Sequence, residues 1–383
     1  MTTSRRQFLG MAAASTAGFA FAPRLLGGAP AAALYARGVA IDGLGGPGGR
    51  SGEEHAPLTE AEVADVAASG LSAVNVTIGD IGSMTPLAAF ERLVRDIARW
   101  ESEIDRHPEV LARIRTPADI EQALRGGRTG LIYGLQDGVS FEDDLGRLDA
   151  LRQLGVRVIQ PTYNRRNLLG DGCMEPANAG LSRAGHEAVE RMNELGLLTD
   201  LSHCGRRTAA DAMATSRRPL AFTHTGCAAL VDHPRHRTDE ELRRIAAGGG
   251  IVGIFVMPYL AKGRQPTGAD VVAHLEHAID VAGEDHVGIG TDGYISPTEV
   301  TPAFAEQFRQ GTRRRRELGI AAPYETEEGY LFASDLNTPR RFETVAGLLL
   351  DRGHRSGRIE KILGGNFLRV FRDTWTPATR AAV

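Results

Sequence analysis

Two histidines, His203 and His224, each close a short apolar run, LLTDLSH and PLAFTHT, within the stretch 197–226. The segment between them has helical composition and carries Arg206, Arg207 and Asp211 outward. A strand, a helix and a second strand of these lengths form one βαβ unit, which sets both imidazoles at the carboxyl edge of neighbouring parallel strands. Open α/β sheets and barrels bind their ligands at that edge. Neighbouring strands lie about 4.8 Å apart and a neutral imidazole nitrogen binds zinc at about 2.0 to 2.1 Å, so the pair can chelate one ion. Two histidines that merely hydrogen-bond loop backbone are the competing reading, and the remaining elements have to separate the two.

Those elements alternate. Strand-like runs at 39–43 (VAIDG), 71–79, 130–138 and 156–164 precede the two histidine runs, and 251–258 and 286–292 follow them. Most are followed by a helical pattern. Thr59 and Glu62 are spaced as a capping box, and 86–106 has an apolar stripe at Leu87, Phe90, Leu93, Val94 and Ile97. Thr116 stands as a further cap. Eight strands alternating with helices make an α/β protein with a parallel sheet, and eight units close a single (β/α)8 TIM-type barrel. The helices after Asp292 then complete the last unit and form a C-terminal helical extension, with no second domain. At the carboxyl ends of the eight strands stand Asp42, Asn75, Gln136, Tyr163, His203, His224, Met257 and Asp292. Convergence on one barrel mouth raises the metal reading of the histidine pair above the bland one.

Composition bounds the partners. The 383 residues are 42% hydrophobic, enough for a sizeable core, and a net charge of -4 points to no nucleic acid. The basic run Arg313, Arg314, Arg315, Arg316 reads as a solvated helix face. Arg5 and Arg6 precede Phe8, Leu9 and a weakly apolar stretch to Ala22, which resembles a twin-arginine export signal. Residues 1–33 are therefore expected to be signal and linker and 34–383 the barrel, with cleavage near 20–22 or 31–33. The export machinery would then be a partner and the mature protein periplasmic or extracellular. No later segment is apolar for long enough to span a bilayer. Cys173, Cys204 and Cys227 are too few for a disulfide framework, although Cys204 and Cys227 could pair in an oxidising compartment.

With these residues in hand, the chain resembles the membrane (renal-type) dipeptidase family of zinc peptidases. The likeness rests on Met192-Asn193, Asp200-Leu201-Ser202-His203, Thr223-His224-Thr225, Asp232-His233-Pro234-Arg235, Gly288-Ile289-Gly290-Thr291-Asp292-Gly293 and Ile362-Leu363-Gly364-Gly365-Asn366-Phe367. The resemblance implies a barrel fold and a dipeptide substrate. It makes His203 and His224 the histidines of one zinc ion, Asp292 the proton-handling acid, and Arg235 the binder of the substrate carboxylate. It also implies a gap. The family's first strand ends in a His-x-Asp pair where Leu44 and Gly46 stand here, its third strand supplies a bridging glutamate where Gln136 stands, and its fourth a histidine where Tyr163 stands.

Leucine and glycine do not ligate, and a neutral amide does not hold two dications together, so a binuclear zinc centre is not expected. Asp137 should face the other side of its strand, and His55 in the Gly-rich loop is the nearest substitute. One reading is then a dipeptidase-like metallohydrolase with one divalent ion, zinc in the first place, held by His203, His224 and Asp292. Asp292 and Tyr163 would be its catalytic residues, and Arg235, Gln136 and Tyr163 would bind substrate. Two other readings stay open: a non-peptidase tailoring enzyme using iron or copper on an exported peptide natural product, and a binding protein with a vestigial site.

Overall fold

A computed structural model describes residues 28–49, 56–79, 81, 84–317 and 323–377. The twin-arginine stretch and His55 lie outside the described residues. Eight parallel strands form the wall: β1 Ile41–Asp42, β2 Ala73–Thr77, β3 Thr129–Leu135, β4 Val156–Ile159, β5 Leu198–Thr199, β6 Ala221–Cys227, β7 Ile251–Ile254 and β8 Val287–Ile289. Each strand pairs with the next in chain order, from Ile41 opposite Ala73 to Ile254 opposite Ile289. A single bridge, Asp200 to Ala221, joins β5 to β6. The ring is completed where Gly43 N donates to Ile289 O at 2.9 Å. This is the single α/β barrel expected from the alternating pattern.

The helices start and stop where local chemistry dictates. Thr59 with Glu62, Thr116 with Asp119 and Thr238 with Glu241 form reciprocal capping boxes at the starts of Glu60–Ser69, Pro117–Arg125 and Asp239–Ala247. Helix Arg183–Leu195 ends at Gly196, whose φ of 67° suits glycine and turns the chain into β5 two residues later.

Strand alternation divides the core into two layers. Leu131, Tyr133 and Leu135 of β3 face the helices, whereas Ile132 joins Ile41, Ala73, Val158, Leu198, Ala221 and Ile251 inside the barrel. The inside is filled from the far end of the chain. Helix Asn366–Thr374 lies beneath the strands, with Arg369 donating to Gly249 O at 2.7 Å and Gly250 O at 3.2 Å just before β7. Its Phe367 rises into the lumen, so that a Cβ at Gly43 would sit 2.3 Å from the ring and one at Gly288 2.8 Å from it. Glycine at those positions is what admits the ring.

Gly28–Arg37 is a helix, and the expected boundary at residue 34 falls inside it. Apolar packing explains the difference: Ala31 and Tyr35 are buried, and the Tyr35 hydroxyl donates to Ser69 O at 2.7 Å. All three cysteines are free; Cys204 accepts from the Thr162 hydroxyl and Cys227 donates to His274 O, so neither faces the other. The extension holds helices Pro302–Glu317 and Arg341–Asp351, and the basic run lies on the first of them, where Arg313 and Arg315 pair with Glu327 and Glu325. Among the described residues no helix is long and apolar enough to cross a membrane.

Candidate active site

The two histidines meet at the mouth, as their strand-end positions imply. Their ring centroids are 5.0 Å apart and both residues are buried. His203 Nδ1 lies 2.7 Å from Asn164 Oδ1, an acceptor, so the proton is on Nδ1 and Nε2 carries a lone pair. His224 Nδ1 lies 2.8 Å from Thr223 Oγ1, whose own hydrogen goes to Asp200 Oδ2 at 2.5 Å, so the same tautomer follows. Both Nε2 atoms are buried without a partner. Burial, with Arg235 close by, holds both imidazoles well below their usual pKa and keeps them neutral. Partners on Nδ1 that fix the tautomer are what metal-ligating histidines ordinarily have.

A break in the strand ladder positions this pair. Phe222 opposes Val252 but Thr225 opposes Ile254, so β6 carries a bulge at Thr223 and His224. Side chains replace the lost ladder bonds: Thr223 N donates to Asp200 Oδ1 at 3.0 Å and His224 N to Ser202 Oγ at 3.1 Å. The Thr223 carbonyl is pushed inward, and a Cβ at Gly253 or Gly290 would lie 2.0 Å from its oxygen. Bulges beside active sites re-aim side chains in this way. Asn164, Asp200, Ser202 and Thr223 thus belong to the site although strand-end reasoning passed over them; the acid three residues before His203 and the threonine next to His224 were the available signals.

Across the mouth, Asp42 is occupied by structure. Its carboxylate accepts from Thr291 N at 2.7 Å, Thr291 Oγ1 at 2.6 Å and Leu44 N at 3.3 Å, and burial pushes its pKa up to about 7. Asp292 follows with a φ of 57° and donates its N–H to Leu44 O at 2.8 Å. Its carboxyl is pushed up to about 6 by burial against the opposing pull of Arg235. Among the described residues no three of His, Cys, Asp and Glu are placed to hold one ion. The left-handed turn sets Asp292 beside Leu44 just after β8, and the bulge sets His224 beside His203, which lies in the loop after β5.

The other candidates surround the pair. The Tyr163 ring stacks on His203 with centroids 4.0 Å apart, and burial raises its phenol pKa, so the hydroxyl stays protonated. Arg235 is buried rather than paired on the surface: it donates to Ser202 O and, at 3.5 Å, to His224 O. Asp232 and Asp239 pair instead with Arg206 and His277. Arg237, unremarked in the sequence, cages the carbonyls of Leu201, Ser202 and Cys204 at 2.8 to 2.9 Å. Gln136 donates to Thr77 Oγ1 at 2.8 Å and leaves its Oε1 bare. Asp137 faces away, bonded to Asn167 and Val139 N. Met257 is buried at the end of β7 and takes no polar part.

This donor set fits one ion at two positions, the bare Nε2 atoms. It does not fit a binuclear centre, because Leu44 and Gly46 offer no ligand atom and Gln136 no charge.

Comparisons with known proteins agree with the fold. An amidohydrolase structure from Pseudomonas aeruginosa is similar at 32% identity, covering 90% of this chain and 99% of that one with a TM-score of 0.76. A metallo peptidase from Rhodobacter sphaeroides, liganded with a phosphinate mimic of the dipeptide L-Ala-D-Ala, shares the fold at 18% identity, 88% and 99% coverage and a TM-score of 0.71. Dipeptidase verJ of Clonostachys rogersoniana is 29% identical over 70% of this chain, and the match spans 61% of that protein's own length. The sequence profile of the membrane dipeptidase family (peptidase family M19) matches residues 54–301. That match takes in both histidines, Arg235 and Asp292 and most of the barrel, and the chain belongs to the membrane dipeptidase family of metallopeptidases.

Proposed function

We propose that this protein hydrolyses small amide-containing carboxylates, dipeptides among them, with one divalent ion at His203 and His224 in place of two. The observation that carries the reading is the pair of buried, unpartnered Nε2 atoms, each made an acceptor by a fixed bond at its Nδ1. Zinc suits two imidazoles, and iron or copper suit them also. Bound there, a divalent ion would polarise a substrate carbonyl. The chain's own residues supply the rest. Arg235 braces the carbonyls of Ser202 and His224 and keeps further N–H groups for a substrate carboxylate. Asp292, with its carboxyl raised to about 6, takes a proton near neutral pH and returns it to the departing amine. Tyr163, protonated, donates a hydrogen bond and keeps the His203 ring in place. Gln136 is the remaining polar contact for substrate.

A second ion would hold the carbonyl oxygen during attack, and its loss removes an interaction worth several kcal/mol, so ordinary dipeptides should turn over weakly. Metal stoichiometry and a dipeptide panel on wild type and His203→Ala test this. One metal per chain or fewer, weak turnover and little gain from added zinc are expected; two tightly held zinc ions with brisk turnover would overturn it. The lack of a third ligand among the described residues favours one alternative, a carboxylate-binding protein. Metal-free protein in which Arg235 still binds small carboxylates would mark that outcome. Arg5 and Arg6 before Phe8 and Leu9 support export by the twin-arginine route to the periplasm or beyond.

A further inference from the structure

The side of the mouth formed by β2, β3 and β4 is lined by three carboxamides. Asn75, Gln136 and Gln160 follow Ala73, Ile132 and Val158 of the inner core at even spacing, so all three belong to the inward face. Each leaves one polar atom buried and unpartnered: Asn75 Oδ1, Gln136 Oε1 and Gln160 Nε2. Asn75 and Gln160 are each only 1% exposed. The orientations of Asn75 and Gln160 are fixed by what the other amide atom does. Asn75 Nδ2 donates to Gly43 O at 2.9 Å, so Oδ1 is the free acceptor. Gln160 Oε1 accepts from His203 N at 3.1 Å, so Nε2 is the free donor. Turning either amide would set acceptor against acceptor or donor against donor.

Room has been left for these groups. Asn75 Oδ1 occupies the place of the missing side chain of Gly134, 2.2 Å from where a Cβ would stand, one layer below Gln136. The acid beside Gln136 in sequence, Asp137, is bonded on the other face to Asn167 and Val139 N. The lining therefore offers a fixed acceptor, Asn75 Oδ1, a fixed donor, Gln160 Nε2, and in Gln136, whose partner is the Thr77 hydroxyl, an amide that can present either; it carries no charge. A carboxylate would meet the bare Asn75 acceptor, and an ammonium would meet the Gln160 donor. A carboxamide or peptide group presents an N–H and a C=O together and satisfies both kinds.

We infer that Asn75, Gln136 and Gln160 form a subsite for an uncharged amide of the ligand, on the side of the mouth where a second metal ion has no ligands. The inference rests on the reading of Arg235 as a carboxylate site only for the choice of probe. Two probes share a carboxylate and a shape: succinamate, and 4-methylpentanoate, in which an isopropyl group replaces the carboxamide. Calorimetry on the purified full chain should show succinamate binding about tenfold tighter, the gain of a net hydrogen bond or two in a dry site. Gln136→Met and, separately, Asn75→Leu should bring that ratio toward one while 4-methylpentanoate binds as before. Equal binding of both probes to wild type would overturn the subsite. Binding of neither would mean that the Arg235 reading has failed, and butyramide, which has no carboxylate, then decides. A saturable shift of side-chain amide resonances by butyramide, lost in Gln136→Met, supports the subsite, and no shift overturns it.

Discussion

The mouth is held by two clasps of the same design. In one, Asp200 at the end of β5 grips the backbone N–H and hydroxyl of Thr223 on β6; in the other, Asp42 at the end of β1 grips the same two groups of Thr291 just after β8. Each threonine precedes a residue that faces the site, His224 in the first case and Asp292 in the second. The clasps differ in what they deliver. The Asp200 clasp passes a hydrogen bond on through Thr223 to His224 Nδ1 and so prepares a lone pair on Nε2. The Asp42 clasp ends in Leu44 and a left-handed turn, and offers no ligand. The same clasp chemistry thus occurs on the side of the mouth that carries the imidazoles and on the side that does not.

Breaking the first clasp should have the largest effect. Asp200→Ala strands two N–H groups and two hydroxyls, those of Ser202 and Thr223, and should cost about 4 kcal/mol in urea denaturation together with zinc retention. Asp42→Ala loses three bonds and should cost about 3 kcal/mol, yet leave zinc binding by the imidazoles intact once the protein is folded. Equal loss of zinc in both variants would erase the difference between the clasps. A finer cut comes from Thr223→Val and Thr291→Val. The first should weaken zinc affinity about 10- to 100-fold, as loss of a partner behind a ligating histidine does, and the second should leave it unchanged, as read by competition with a chelating dye.

A separate effect is in pH dependence. Asp42 titrates near 3.8 when unfolded and at about 7 in the fold, so the folded state binds its proton more tightly. The stability this contributes is full below the unfolded value and is lost as pH rises through about 7. Asp42→Asn keeps an oxygen for Thr291 N and a donor for the Thr291 hydroxyl, and should flatten denaturation free energy between about pH 4 and pH 7. An unchanged slope would mean that the clasp is not strained by its charge. Asp200, also raised by burial, should keep part of the slope in that variant.

Much of this was legible in the chain because periodicity and capping act locally. The capping box at Thr59, the helix Pro86–Arg106 and the eight strand ends needed only near neighbours. Alternation placed Asp137 on the far face of β3. What escaped depends on distant partners. Asp42 read as a candidate for chemistry because its engagement with Thr291 arises only when the ring closes across 249 residues. The bulge in β6 shows in the register against β7 and is invisible in the run PLAFTHT. Asp292 sits at a strand end as predicted, but its positive φ and its bond to Leu44 O involve a partner from the other end of the barrel and do not show in the local run. Tyr35 and Ala31 lay in a stretch whose Ala and Gly content resembles a linker, and only packing against the C-terminal helices makes it a helix.

Phe367 has a consequence for how the chain acquires its fold. The ring that fills the lumen is supplied by helix Asn366–Thr374 and enters against Gly43 beside the first strand, so the inner core lacks its central residue until residue 367 has been made. Contacts this distant in sequence are formed late and slowly, because the loop they close is nearly the whole polypeptide. A ribosome-bound chain can build helices and neighbouring strand pairs as it emerges, but the barrel interior stays open to water until the C-terminal helix is released. Completion of the core thereby waits on residue 367, and a polypeptide cut short before it would reach any checkpoint for foldedness with a hollow centre.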